Sequence, residues 1–383
     1  MSARRPGIRT TTALTAVTAA ALGAVLAGTL PAIADSRAAG GADSPGGHHA
    51  DRQGFEFALV GDVPYGPDGR EKYPAVIRDV NRSAADFTIF LGDTKNGSEP
   101  CYADPHRAAP TAVTPDRAVA DATHPDVYRS ALALFARYSK PLVYLPGDNE
   151  WTDCDRPATA GGAVSDSDDR LAYLRRLSYP TDRTLGRTTF RVQRQSAAYP
   201  ENVRWDRGPV TFVGLNVPGS DNNFADGDRN GPAAQGQAEY AARNAANLQW
   251  VRQGFAAAER TGSKGVVIAL QADMWDPAAV TTHFAETKAE LFRQATAFDG
   301  QVLIVNGDSH RFTVNKPLTD YATTNAGGGR SPNVVQNVTR VTNFGEDQNH
   351  WTSIEVDPAD PQLFVVHQHV VAANVPAYTP PAG

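Results

Sequence analysis

The chain has 383 residues, 20% of them charged, with a formal charge of −6. Its positive charge is spread over 30 Arg and 6 Lys without a basic run. Such an acidic surface argues against nucleic acid or an anionic membrane as partner. The length suits one large α/β domain or two smaller ones, and no internal repeat is visible.

The first 34 residues have the layout of a secretory signal peptide. Arg4, Arg5 and Arg9 give a positive start, an Ala-rich apolar stretch runs from about Ala13 to Leu30, and Ala32-Ile33-Ala34 supplies a small-x-small pattern for cleavage after Ala34. The other reading, a membrane anchor, is disfavoured because the stretch is rich in Ala, Thr and Gly. No stable membrane span is therefore expected, and a secreted, extracellular chain is. Arg4-Arg5 leaves general and twin-Arg export both open. Cleavage would remove three arginines and no acids, moving the formal charge from −6 to −9.

Residues 35–53 lack periodicity and read as a disordered lead-in. Residues 54–375 read as the folded domain, and residues 376–383 as a Pro-rich tail. Six short runs predict buried strands by their length and β-branched content. These are Phe55–Val60, Phe87–Leu91, Leu142–Leu145, Val210–Leu215, Val266–Leu270 and Val302–Val305. Helical spacing appears over 74–84, 128–138, 168–177, 233–261 and 282–298. Alternation of strands and helices predicts an α/β sheet covered by helices. The stretch from about 332 to 371 looks β-rich and adds an antiparallel portion. Loops 94–127 and 178–208 are long enough to be binding loops or disordered segments.

Ligands in α/β sheets bind beyond the carboxyl ends of the strands. Five of the six predicted strand ends deliver an acid, alone or with an amide or imidazole beside it: Asp62; Asp93; Asp148 with Asn149; Gln271 with Asp273; and Asp308 with His310. One Gly-Asp pair is an ordinary turn. Five converging ends point to a metal site.

In their order these blocks resemble those of the calcineurin-like metallophosphoesterases, over about residues 55–312. That family carries Asp-x-His, Gly-Asp-x-x-Asp, Gly-Asn-His-Glu/Asp, a lone His, and Gly-His-x-His. Here the blocks are Gly61-Asp62-Val63-Pro64, Gly92-Asp93-Thr94-Lys95-Asn96, Gly147-Asp148-Asn149-Glu150, Leu270-Gln271-Ala272-Asp273 and Gly307-Asp308-Ser309-His310. The resemblance implies a four-layer α-β-β-α sandwich of two mixed β-sheets flanked by helices. It implies Asp62, Asp93, Asp148, Gln271 (or Asp273 reaching in), Asp308 and His310 as metal ligands. Four family histidines are replaced, by Pro64, Asn149, Gln271 and Asp308.

The replacements shift the donor set from imidazole to oxygen. Imidazole suits zinc and iron, whereas carboxylate and amide oxygens suit Mn²⁺, Mg²⁺ or Ca²⁺. A hard divalent ion is expected, one or two per chain. His310 is the expected general acid or base, with Asn149 donating to a phosphoryl oxygen. Lys95 and Arg311 are candidates for binding phosphate, or are simply solvated. Tyr65, Trp151 and Trp275 either wall the pocket or pack in the core.

Cys101 and Cys154 are the only cysteines, and in an exported chain two cysteines usually pair; two buried free thiols are the alternative. A bridge would close about 53 residues, worth roughly 4 kcal/mol on the chain-entropy model. It would also pin the loops carrying Asp93 and Asp148. The block Pro146 to Cys154 is similar to one in exported bacterial members of the superfamily. His367 and His369 would share one face of a strand.

The favoured function is hydrolysis of a small phosphomonoester or phosphodiester by a monomeric, secreted enzyme using a metal-activated water. The alternative is a non-catalytic extracellular binding protein on a degenerate scaffold.

Overall fold

All six expected strands form, because each is buried on both faces and therefore reads as a continuous apolar run. The structure is a computed structural model and describes residues 54–99, 101, 126–155, 166–224, 233–279, 282–320 and 333–375. The expected leader, lead-in and tail, and most of loop 94–127, lie outside the described residues.

The first half of the chain runs β1 (Phe55–Val60), α1 (Gly66–Arg82), β2 (Phe87–Phe90), α2 (Val127–Phe135), β3 (Leu142–Tyr144) and α3 (Ser167–Ser178). Then follow β4 (Gln193–Arg194), β5 (Val203–Arg207), β6 (Val210–Gly214), a single distorted turn α4 (Gly219–Asn222), α5 (Ala233–Thr261), β7 (Gly265–Ala269), α6 (Ala285–Ala297) and β8 (Gln301–Asn306). Short strands β9 (Thr313–Asn315), β10 (Thr319–Asp320) and β11 (Asn333–Val334) precede β12 (Val338–Thr342), β13 (Trp351–Val356) and β14 (Phe364–His369).

Two mixed sheets result. The five-stranded sheet has the order β14-β13-β1-β2-β3, with β1, β2 and β3 parallel and β13 antiparallel to both its neighbours. The seven-stranded sheet has the order β4-β5-β6-β7-β8-β12-β9, with a parallel centre from β6 to β12. The period of two along each strand divides the side chains between layers. Phe57 and Leu59 of β1, with Leu303 and Val305 of β8, point into the core between the sheets. Ala58 and Val60 face helices α1 to α3. Val302 and Ile304 face α5 and α6. The fold is thus the expected α-β-β-α sandwich, and the C-terminal ends of β1, β2, β3, β7 and β8 deliver their loops to one common site.

One boundary differs from expectation. The helix expected from residue 74 begins at Gly66, and Pro74 lies inside it. Pro67 in the first turn loses nothing, because the first N–H groups of a helix have no intrahelical acceptor. Pro74 does remove an internal bond. Burial of Tyr73, Val76, Ile77 and Val80 carries the helix past it. Helix α2 is capped by Asp126, which accepts from the backbone of Tyr128 and Arg129 at 3.1 Å each and from the Tyr173 hydroxyl at 2.6 Å.

Candidate metal centre

Asp62, Asp93 and Asp308 each sit two or three residues past their strand, with left-handed φ of 54°, 62° and 75°. Asp tolerates this region better than most residues, because its short side chain bonds locally. The conformation stops each strand and turns the carboxylate across the sheet edge. Gly92, at φ 83°, allows the closest approach: a Cβ there would lie 2.5 Å from Gly147 N and 2.7 Å from Gln271 Cγ. A Cβ on Gly219 would lie 2.6 Å from Asp308 Oδ1 and 2.8 Å from Asp148 Oδ2. Glycine at these points lets chains from both sheets close on the same carboxylates.

Carboxylate oxygens of Asp93, Asp148 and Asp308 all lie within 4.8 Å of one another. Asp93 is heavily bonded. Its Oδ1 accepts from Asn149 N at 3.1 Å, and its Oδ2 accepts from Tyr65 Oη at 2.9 Å, Asn149 Nδ2 at 2.9 Å and Gln271 Nε2 at 3.1 Å. Gln271 Nε2 also donates to Asp148 Oδ1 at 3.0 Å, while Gln271 Oε1 accepts from Gly219 N at 2.6 Å. That backbone N–H sets which end of the amide faces which partner. Gln271 therefore braces two carboxylates through its nitrogen, where the expectation had it as an oxygen ligand. Asn149 braces in the same way: its NH₂ serves Asp93 and the Tyr65 hydroxyl (2.7 Å), so the donation to a phosphoryl oxygen expected of it has no proton left over.

Asp308 ties the halves together. Its backbone N donates to Asp62 Oδ1 at 3.0 Å, and its Oδ2 accepts from Asp273 N at 2.9 Å. Asp62 is fully buried and its Oδ2 has no hydrogen-bond partner. His310 Nε2 lies 3.4 Å from Asp62 Oδ1, and its ring meets Tyr65 edge-on at 5.3 Å. Asp273 does not reach into the trio: it pairs with Arg340, and its other oxygen accepts from the Ser309 hydroxyl at 2.9 Å.

The electrostatics follow from burial. Loss of water and then repulsion from Asp148 push the carboxyls of Asp93 and Asp308 well above the usual range. Burial also raises Asp62, against the opposing pull of His310. For His310, burial opposes the charged form, but Asp62, and then Glu346 and Asp308, outweigh it and push the pKa up to about 9.

The other expected residues are placed as follows. Lys95 is fully buried, and its ammonium donates to the carbonyls of Glu99 (2.8 Å) and Asn96 (3.1 Å), bracing its own loop. Arg311 is exposed. Trp151 has 0% exposure and packs under Arg243, so it belongs to the core. Cys101 and Cys154 form a disulfide with Cα atoms 5.5 Å apart. His367 and His369 lie on edge strand β14 with separate partners, Glu355 and Ser353.

Two contributors escaped the sequence reading. Ser220, in the turn that follows β6, places its hydroxyl 2.6 Å from Asp148 Oδ2 and 2.7 Å from Asp153 Oδ1. Glu150 ties the β2 and β3 loops together, accepting from Thr94 N at 2.7 Å and Gly147 N at 3.1 Å.

The donor set fits a divalent ion at the trio, since burial and repulsion oppose the ionisation of Asp93 and Asp308 and all three residues offer oxygens. Asp62, with its unpartnered Oδ2, and His310 lie beside it.

No protein-family model matches the sequence, and no curated protein matches it. Among solved structures the chain is similar to PhoD, at 13% identity and a TM-score of 0.46 over 81% of this chain and 65% of that one. It is similar to a dimetal phosphatase from Danio rerio, at 10% identity and a TM-score of 0.48 over 83% and 96% of the two chains. It is also similar to GAP50, described as the anchor in the inner membrane complex of Plasmodium, at 8% identity and a TM-score of 0.43 over 83% and 89%. The chain thus spans just under two thirds of the length of PhoD.

Proposed function

We propose that the mature chain is an exported, monomeric, metal-dependent phosphoesterase that hydrolyses a small phosphomonoester or phosphodiester. The observation that carries the proposal is the trio of Asp93, Asp148 and Asp308, whose oxygens lie within 4.8 Å of one another while burial and repulsion oppose the ionisation of Asp93 and Asp308. Such a group is stable when ionised only around a cation. Three carboxylates favour Mn²⁺, Mg²⁺ or Ca²⁺ over zinc or iron. Asp62 and His310 would extend the set toward a second ion.

A divalent ion held there would polarise a phosphoryl oxygen and make a bound water acidic enough to attack phosphorus. The chain's own residues do the rest. Gln271, Asn149 and Tyr65 hold Asp93 and Asp148 in place by donating to them. His310 holds its proton at neutral pH because Asp62 supports its charged form. It therefore enters as a hydrogen-bond donor to a phosphoryl oxygen rather than as a base. The signal-like leader and the Cys101–Cys154 disulfide support export. Among the described residues no helix is long and apolar enough to cross a membrane.

A second reading has one observation in its favour. Asp93 already accepts four hydrogen bonds from Asn149, Tyr65 and Gln271, which would suit a non-catalytic binding protein whose carboxylates are held by side-chain donors. One experiment separates the two. Metal-stripped protein is assayed on a chromogenic phosphomonoester and a phosphodiester while Ca²⁺, Mg²⁺, Mn²⁺ and Zn²⁺ are titrated. Turnover restored by a hard ion and abolished in Asp93→Asn is the expected result. Folded, oxidised protein that is inactive with every ion would leave the binding-protein reading.

A further inference from the structure

The turn that brings Ser220 to Asp148 also grips a histidine outside the carboxylate site. Ser220, Asp221, Asn222 and Asn223 all have left-handed φ, of 48°, 49°, 60° and 61°. Four such residues in succession are unfavourable and persist only where the surroundings enforce them. Here Arg243, fully buried, bonds the side chain and carbonyl of Asn222 at 2.6 and 2.9 Å, and Asn223 Nδ2 donates to Glu239 at 3.0 Å. The product of this distortion is the aim of Asp221. Its Oδ2 lies 2.5 Å from His283 Nδ1, and its Oδ1 accepts from His283 N at 3.1 Å.

Everything else about His283 is held as well. Its ring stacks on Phe224 at 3.6 Å with an interplanar angle of 8°, and Tyr240 meets it edge-on at 5.4 Å. Its carbonyl accepts from Asn222 Nδ2 at 3.1 Å and Tyr240 Oη at 3.2 Å. Nε2 alone has no partner among the described residues, and the side chain is 24% exposed. A carboxylate on Nδ1 fixes the ring's orientation and leaves Nε2 as the position from which a proton can be transferred. Only one peptide bond separates Asp221 from Ser220, whose hydroxyl touches Asp148.

We propose that His283 is the proton donor to the leaving-group oxygen and that Asp221 is its positioning residue. The proposal rests on the phosphoesterase reading and supplies what that reading lacks. Asn149 carries no transferable proton, and His310 is held by Asp62. In the step, the oxygen of the attacking water bonds to phosphorus and releases a proton to solvent, and the bond from phosphorus to the leaving oxygen breaks. That oxygen keeps the electron pair and takes the Nε2 proton of His283, and the neutral ring regains a proton from solvent. The leaving group would lie against the α4 turn.

The test uses the mature protein with whichever ion restores activity, and two substrates with the same phosphoryl group. One releases 4-nitrophenolate, which departs without a proton; the other releases a simple alcohol, which needs one. His283→Gln should lower kcat on the alkyl ester about 100-fold, and on the nitrophenyl ester less than threefold, with unchanged ion affinity. Asp221→Asn should show the same split with a smaller loss, and serves as the second variant should His283→Gln fold poorly. Equal losses on the two substrates, or none, would overturn the role of His283 while leaving the phosphoesterase reading intact. Wild-type protein that hydrolyses neither ester with any ion overturns both.

Discussion

Two buried polar regions meet at the α4 turn, and they are satisfied in opposite ways. On one side Arg243 spends its guanidinium on Glu239, Asn216 and Asn222 at 2.6 to 3.1 Å, and Asn247, Asn202 and Glu201 continue the network around Asn216. Its charge is balanced by Glu239. On the other side Asp62, Asp93, Asp148 and Asp308 crowd together, with only Gln271, Asn149, Tyr65, Ser220, His310 and backbone N–H groups to hold them. All of these but the His310 ring are neutral, and neutral donors orient carboxylates without cancelling their charge. The first region is therefore a structural brace that maintains the strained turn. The second is shaped for something that arrives with positive charge.

That contrast predicts opposite signs for mutations only a few residues apart in space. Arg243→Met should be the most damaging. It strands Glu239 and the carbonyls of Asn216 and Asn222, and breaking a buried ion pair from one side costs about 3–5 kcal/mol. Urea denaturation would register the loss with or without metal; a loss below about 1 kcal/mol would mean that the network is not the brace described. Asp308→Asn should do the reverse in metal-stripped protein. Removing one of several repelling charges raises stability, on the order of 1 kcal/mol. The same variant should forfeit the stabilisation that an ion gives wild type, about 2.7 kcal/mol at a hundredfold excess over Kd. A fall in metal-free stability for Asp308→Asn would show that the aspartates do not oppose one another.

The contrast also explains which parts could be read in the sequence. The strands were legible because burial on both faces makes each a short apolar run, as in β1, β7 and β8. Helix α5 was legible to its ends, and Cys101 and Cys154 pair as an exported chain predicts. The aspartates were legible because they follow β1, β2, β3 and β8 within two to four residues. What each side chain does there was not. Gln271 looks the same in sequence whether it turns its oxygen or its nitrogen inward, and Gly219 N decides the matter from another strand's loop. Asp273 looked able to reach the ion until Arg340, from β12, took it. Ser220 and His283 carry no signal at all, since their placement depends on a turn whose backbone is held in an unfavourable region by contacts from α5.

The smallest expected effect is the sharpest test of the cluster's charge, and it is read in the pH dependence of stability. A carboxyl whose folded pKa is raised holds more protons in the native state than in the unfolded one, so stability falls as pH rises from the unfolded value toward the folded one. Asp62, Asp93 and Asp308 all start from 3.8 and are raised. His310 acts in the same direction over a higher window. Its contribution is complete below 6.5 and lost as pH rises through about 9. The half-buried rings of His350 and His369 have lowered values and work the opposite way as pH passes 6.5. They lie outside the cluster and should behave alike with and without metal. Urea midpoints measured from pH 5 to 9 in metal-stripped and Mn²⁺-saturated protein should therefore diverge steadily. The metal-stripped curve should fall with pH, and the saturated curve should stay level or rise, because a bound cation pulls the carboxyl values back down. Subtracting one curve from the other removes His350, His369 and every group away from the site. A difference that does not change with pH would mean that protons and metal ions do not compete for these carboxylates.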